Sequence, residues 1–127
     1  MNTVVAARTL LRRYDAKLKP YGVTVQQFSL LGSIRYYPGM SVVEMAERVR
    51  IDRTSLTRNL DLLERKGLVR RVAAPGNARL CEVTEAGEQL LVDLIEEWKL
   101  AQAELMSELH ADDAAAYLRV AKHMTTV

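Results

Sequence analysis

Residues 41–67 read SVVEMAERVRIDRTSLTRNLDLLERKG, and this stretch decides the fold. Its pattern predicts two helices, over 42–49 and 53–66, because Ser41 and Asp52 are good N-cap residues directly before each one. The glycine that ends the stretch suits the left-handed position that closes a helix. Only three residues separate the two predicted helices, which is the spacing of a helix-turn-helix.

A β-hairpin is predicted immediately after this helix pair. Residues 68–72 and 78–83 suit two short strands, and the turn residues Pro75, Gly76 and Asn77 lie between them. A hairpin directly after the second helix of a helix-turn-helix is called a wing. The sequence therefore predicts a winged helix-turn-helix over 22–84.

The rest of the chain is predicted to be helical, so the fold class is mainly α (α+β). One helix precedes the winged region over 1–20, and two follow it within 85–127. The first of these two begins after Thr84 and extends to about Leu109, which is nearly 40 Å at about 1.5 Å per residue. Such a helix is longer than a domain of this size could cover. We therefore expect a single domain, 1–127, whose terminal helices dimerise.

Charge is distributed unevenly along the chain. Residues 1–84 contain fifteen Lys or Arg against seven acids, whereas residues 85–127 contain three against nine. This asymmetry fits a basic surface that faces an anionic partner, and it equally fits charges that solvate helix faces.

Candidate DNA contacts lie on the second helix of the pair and on the wing. In the helix, leucines at 56, 60 and 63 define the buried face, and the exposed N-terminal turn offers donors for phosphates and base edges. These candidates are Arg53, Thr54, Ser55, Thr57 and Arg58 in the helix and Arg70, Arg71 and Arg79 in the wing. The alternatives are an ordinary solvent-facing helix and a charged hairpin edge that resists aggregation.

Four segments of the chain together resemble the MarR family of bacterial and archaeal regulators: 24–31, 41–46, 52–71 and 83–87. The resemblance implies a homodimer that places two winged domains on a palindromic operator in double-stranded DNA. It also implies repression of transcription, often released by a small aromatic effector. One departure concerns the wing tip, where the family's Asp-x-Arg pattern is replaced by Pro75, Gly76 and Asn77. The wing-tip arginine and its aspartate partner are therefore missing, and Arg79, two residues after Asn77, is the candidate substitute.

Other functions find less support in the sequence. The single cysteine, Cys81, excludes an internal disulfide and a cysteine-cluster metal site, and we interpret it as a buried structural residue rather than a redox sensor. We expect no metal, no cofactor and no enzyme activity, because neither ligand spacing nor a catalytic set is present. Without an apolar run long enough for a membrane or a signal peptide, the predicted location is cytoplasmic.

The aromatic residues leave one alternative open. They could line an effector pocket or simply pack in the core and the dimer interface: Tyr14, Tyr21, Tyr36, Tyr37 and Trp98. Taken together, the sequence predicts a sequence-specific DNA-binding regulator. The alternative is a protein-interaction module of the same fold that does not bind DNA.

Overall fold

A computed structural model describes residues 1–77 and 79–125, except for the side chains of Asn77 and Arg79. Helices dominate it, and their order is α1 (Asn2–Leu18), α2 (Val25–Tyr36), α3 (Val42–Val49), α4 (Arg53–Arg65), α5 (Glu85–Ser107) and α6 (Ala111–Thr125). Two strands, β1 (Val69–Ala73) and β2 (Arg79–Val83), lie between α4 and α5. The predicted winged helix-turn-helix fold is confirmed. Position 78, the predicted start of the second strand, and positions 126 and 127 lie outside the described residues.

The helix starts follow from side-chain caps. Thr24 and Gln27 form a reciprocal capping box at the start of α2, with both hydrogen bonds at 3.2 Å. Ser41 and Asp52 each accept a hydrogen bond from the backbone N–H three residues later, which fixes the first turns of α3 and α4. Gly67, two residues after the end of α4, has a positive φ of 74°, the left-handed conformation that its position predicted.

A leucine-rich core joins the winged region to the long helix α5. Fully buried leucines come from four helices: Leu18 of α1, Leu30 and Leu31 of α2, Leu56 and Leu63 of α4, and Leu94 of α5. Burying each leucine side chain contributes about 1.5–3 kcal/mol. The position of α4 is therefore set mainly by packing against α2, α3 and β1.

The wing is an antiparallel pair in which Val69 lies opposite Val83 and Arg71 lies opposite Cys81. Its base is fixed to the start of α5, because the backbone N–H of Thr84 donates to the carbonyl of Leu68 at 3.0 Å. A Cβ atom at Gly87 would lie only 2.1 Å from that same carbonyl oxygen. Glycine is thus required where α5 passes the beginning of the wing.

The long terminal helices contact one another through polar and aromatic groups. Arg13 of α1 forms a bidentate ion pair with Glu108, which follows α5. The Nζ of Lys17 lies 2.8 Å from Oε2 of Glu104. Tyr14 stacks on Trp98 of α5 with their ring centroids 4.0 Å apart. These contacts hold α1 along the C-terminal half of α5.

Helix α6 packs loosely, and apolar side chains remain exposed near it. None of its described residues is buried. Large apolar residues are exposed on three helices: Val4, Val5 and Leu11 of α1, Val92 and Leu100 of α5, and Leu118, Val120 and Met124 of α6. Within the described part of the chain, no helix is long and apolar enough to cross a membrane.

Candidate nucleic-acid interface

The two faces of α4 differ sharply in exposure. Leu56, Leu60 and Leu63 are at most 2% exposed and pack into the core. On the opposite face, three arginines, two threonines and one carboxylate line a shallow surface groove: Arg53, Arg58, Arg65, Thr54, Thr57 and Asp61. Four of the five predicted helix contacts are therefore brought together on one solvent-facing surface.

Ser55, the fifth predicted helix contact, is held differently. Its hydroxyl donates to a carboxylate oxygen of Asp52 at 2.7 Å, and its backbone N–H donates to the other oxygen at 2.9 Å. These two bonds hold the pKa of Asp52 below its ordinary value, the hydroxyl contributing most. Since the hydroxyl hydrogen is already used, Ser55 offers DNA only an acceptor. Arg58 donates weakly to the hydroxyl oxygen of Ser55, with its Nη2 3.4 Å from that Oγ.

The two described wing arginines both have acidic partners. Arg70 forms an ion pair with Glu82, which lies opposite it on β2, and the Arg70 side chain remains 64% exposed. Arg71 instead reaches across to α4, where its Nη2 lies 2.6 Å from Oδ1 of Asp61. The side chain of Arg79 lies outside the described residues.

The ion pair between Arg71 and Asp61 joins the wing to the groove-lining face of α4. Burial lowers the pKa of Arg71, but the hydrogen bond and the charge of Asp61 outweigh it, so the pKa lies above its ordinary value. The pair also neutralises the one carboxylate in the groove. Sequence reasoning missed this partner, since ten positions separate the two residues and nothing in the local pattern pairs them.

Cys81 lies next to this ion pair and is half-buried. Burial raises the pKa of its thiol, and the nearby Arg71 lowers it by less. A raised thiol pKa keeps the reactive thiolate scarce at neutral pH. The environment therefore agrees with a structural cysteine.

Most of the aromatic residues fall into two groups, whereas Tyr21 donates its hydroxyl to Oε2 of Glu97 at 3.2 Å. Tyr14 and Trp98 stack on each other, and Phe28 lies 5.6 Å from Trp98, so these rings contribute to packing between α1, α2 and α5. Tyr36 and Tyr37 are exposed at the end of α2, where the guanidinium of Arg48 lies 3.3 Å from the ring centroid of Tyr37. Among the residues with described placement, no group of three His, Cys, Asp or Glu could hold a metal ion.

Comparison with known proteins identifies similar regulators. A model of the MarR family matches residues 21–80. The Mycobacterium tuberculosis transcriptional regulator MosR is 34% identical, with 96% of this chain and 93% of that chain covered and a TM-score of 0.76. A mutant of E. coli MarR in complex with operator DNA is 27% identical, with 96% and 89% covered and a TM-score of 0.84. A Mycobacterium tuberculosis MarR family protein in complex with p-aminosalicylic acid, at 23% identity, covers 96% and 94% and shares the fold with a TM-score of 0.78.

Proposed function

The chain belongs to the MarR family of DNA-binding transcription regulators, and we propose that it binds a palindromic operator as a homodimer with α4 in the major groove. The exposed face of α4 carries this proposal. Two arginines and two threonines of its N-terminal half share one groove, directly opposite the leucines that fix the helix in the core. A recognition helix uses its N-terminal residues to contact base edges.

Individual roles follow from these positions. Arg58 and the hydroxyls of Thr54 and Thr57 contact bases or position the helix, and Arg53 at the N-terminal end contacts phosphate. Ser55 contributes as an acceptor. Arg70, which is exposed on the wing, exchanges Glu82 for a backbone phosphate when DNA is bound. Arg79 would supply the minor-groove contact that the substituted wing tip lacks. We assign Arg71, the remaining predicted wing contact, to the ion pair with Asp61 rather than to DNA.

Dimerisation through 1–20 and 85–127 is supported by the exposed apolar side chains of α1, α5 and α6. Helix α5 has 23 residues and extends about 35 Å, so it offers a long surface to a second copy. A second copy that covered these side chains would remove their apolar surface from water, which favours association. The winged region 22–84 would then lie outside the dimer contact.

We also propose that the protein represses transcription in the cytoplasm and that a small aromatic effector releases this repression. No catalytic step is part of the proposal. The complex of a related protein with p-aminosalicylic acid supports the effector class. In the competing proposal of a protein-interaction module, the altered wing tip would mark a lost DNA contact.

Selection from a pool of random duplex DNA, combined with the solution mass, tests this function. We expect a dimer that enriches a palindrome whose half-sites are about one helical turn apart. A dimer that enriches no sequence even at low salt would instead favour the protein-interaction module.

A further inference from the structure

Three amide side chains link α2 to α4 beside the apolar core. Gln27 is only 6% exposed, yet it lies beside a core built from leucines. Its side-chain oxygen accepts from the backbone N–H of Thr24, and its Nε2 donates to Oδ1 of Asn59 on α4 at 3.3 Å. A buried amide therefore bonds to the helix that contacts DNA.

Asn59 uses its own amide nitrogen in two further bonds. Its Nδ2 donates to Oε1 of Gln26 at 3.0 Å and to the backbone carbonyl of Ser55 at 3.0 Å. The side chain is thus held between two residues of α2 and its own preceding turn. Within the described chain, no buried side-chain nitrogen or oxygen lacks a partner.

These bonds constrain α4 in a way that leucine packing does not. Apolar contacts are non-directional, so the core leucines resist separation of the helices more than they resist rotation or sliding. Hydrogen bonds weaken steeply when their geometry changes, and a shift of α4 would leave the buried amide of Gln27 without its partner. Buried polar groups of this kind can specify register in helix packing.

We propose that Asn59, together with Gln26 and Gln27, is a positioning residue that sets the rotation of α4 and so determines DNA specificity without touching DNA. Successive residues advance 100° around a helix, which places Asn59 toward α2 and 100° away from Arg58. A small rotation of α4 would displace Arg58 and Thr54 from their base edges together. This inference rests on the proposed function, since it concerns how the same helix discriminates sequences.

The test compares affinity for the selected operator with affinity for random duplex DNA at one salt concentration. In Asn59→Leu, a variant of similar size without the amide, we expect the ratio of the two affinities to fall about tenfold, the effect of losing one good base contact. The matched control is Thr24→Ala, which removes the cap of α2 but leaves the bonds of Asn59 in place. The control should lower thermal stability while its affinity ratio stays equal to that of wild type.

A second variant keeps the inference testable if Asn59→Leu fails to fold. Gln26 is exposed, so Gln26→Ala should fold normally and still lower the ratio, by about twofold to threefold, because one of the Asn59 bonds is lost. In the Asn59→Leu background the same change should have no further effect. Unchanged ratios in both single variants, or fully additive effects in the double variant, would overturn the proposal. A wild-type protein that selects no operator would instead refute the proposed function itself.

Discussion

The ion pair between Asp61 and Arg71 is expected to couple the wing to α4 measurably. Its Nη2 to Oδ1 distance is 2.6 Å, and the side chains of Arg71 and Asp61 are 26% and 47% exposed. Replacing each residue by alanine, singly and together, isolates the energy of the pair in a double-mutant cycle.

The magnitude follows from exposure rather than from distance alone. Because nearly half of the Asp61 side chain is in water, solvent screens most of the attraction, and exposed pairs contribute about 0.2–1 kcal/mol. Arg71 is better buried, so we expect a coupling free energy near the upper end, about 0.5–1 kcal/mol. Each single variant should then unfold about 2–4 °C below wild type. Thermal unfolding at a fixed protein concentration measures both the coupling free energy and the shift in unfolding temperature.

Binding to random duplex DNA distinguishes an Arg71 that pairs with Asp61 from an Arg71 that contacts a phosphate directly. Asp61→Ala removes the one carboxylate of the groove and releases Arg71, so affinity should rise and the slope of log K against log salt should steepen by about 0.9 for the additional phosphate contact. The reasoning would be refuted by a coupling energy below about 0.3 kcal/mol together with a slope about 0.9 shallower in Arg71→Ala. That pair of results would mean that Arg71 already binds phosphate in the wild type.

Three further predictions concern other parts of the chain. Gly87→Ala should destabilise the fold by about 1–3 kcal/mol, because its Cβ would overlap the backbone at the beginning of the wing. Gly32→Ala has open space around it in α2 and should stabilise the fold by up to about 1 kcal/mol. Chemical denaturation measures the free energy of unfolding of both variants. Lys17 lowers the pKa of Glu104 through a hydrogen bond and its charge, so the stabilisation is present above the ordinary value of 4.5 and lost as the pH falls through the folded value. The difference in free energy of unfolding between wild type and Glu104→Gln should therefore shrink below about pH 4.5. A difference that does not change with pH would contradict this prediction. Cys81 should react with iodoacetamide at pH 7 much more slowly in the folded protein than after unfolding, as followed by mass spectrometry; equal rates would argue against its protection.

The order of the helices and the wing could be predicted from the sequence because N-cap residues precede most of the helices. Thr24, Ser41, Asp52 and Thr84 all cap helices as expected, and the α3 bounds agree with the prediction. Smaller differences occur at the ends. The first strand begins one residue later than predicted, and α5 ends at Ser107 rather than near Leu109. Helix and strand ends depend on the last hydrogen bonds formed, which residue type determines only loosely.

The partners of the site residues could not be predicted in the same way. Helical periodicity placed the leucines at 56, 60 and 63 on the buried face of α4, and the structure agrees. It could not show that Arg71 bonds to Asp61 or that Gln27 bonds to Asn59. These bonds depend on how the hairpin and α2 pack against α4, and that packing is set by long-range contacts in the core.

The central claim, that α4 recognises bases, is tested most directly by repeating operator selection with Arg58→Ala. Loss of one bidentate contact to guanine should relax a single position in each half-site and weaken operator binding by about 1–3 kcal/mol. Arg65→Ala is the matched control, because Arg65 lines the same groove about 10 Å further along the helix axis and should leave every position unchanged. An Arg58→Ala variant that selects the wild-type operator with undiminished preference at every position would contradict the account.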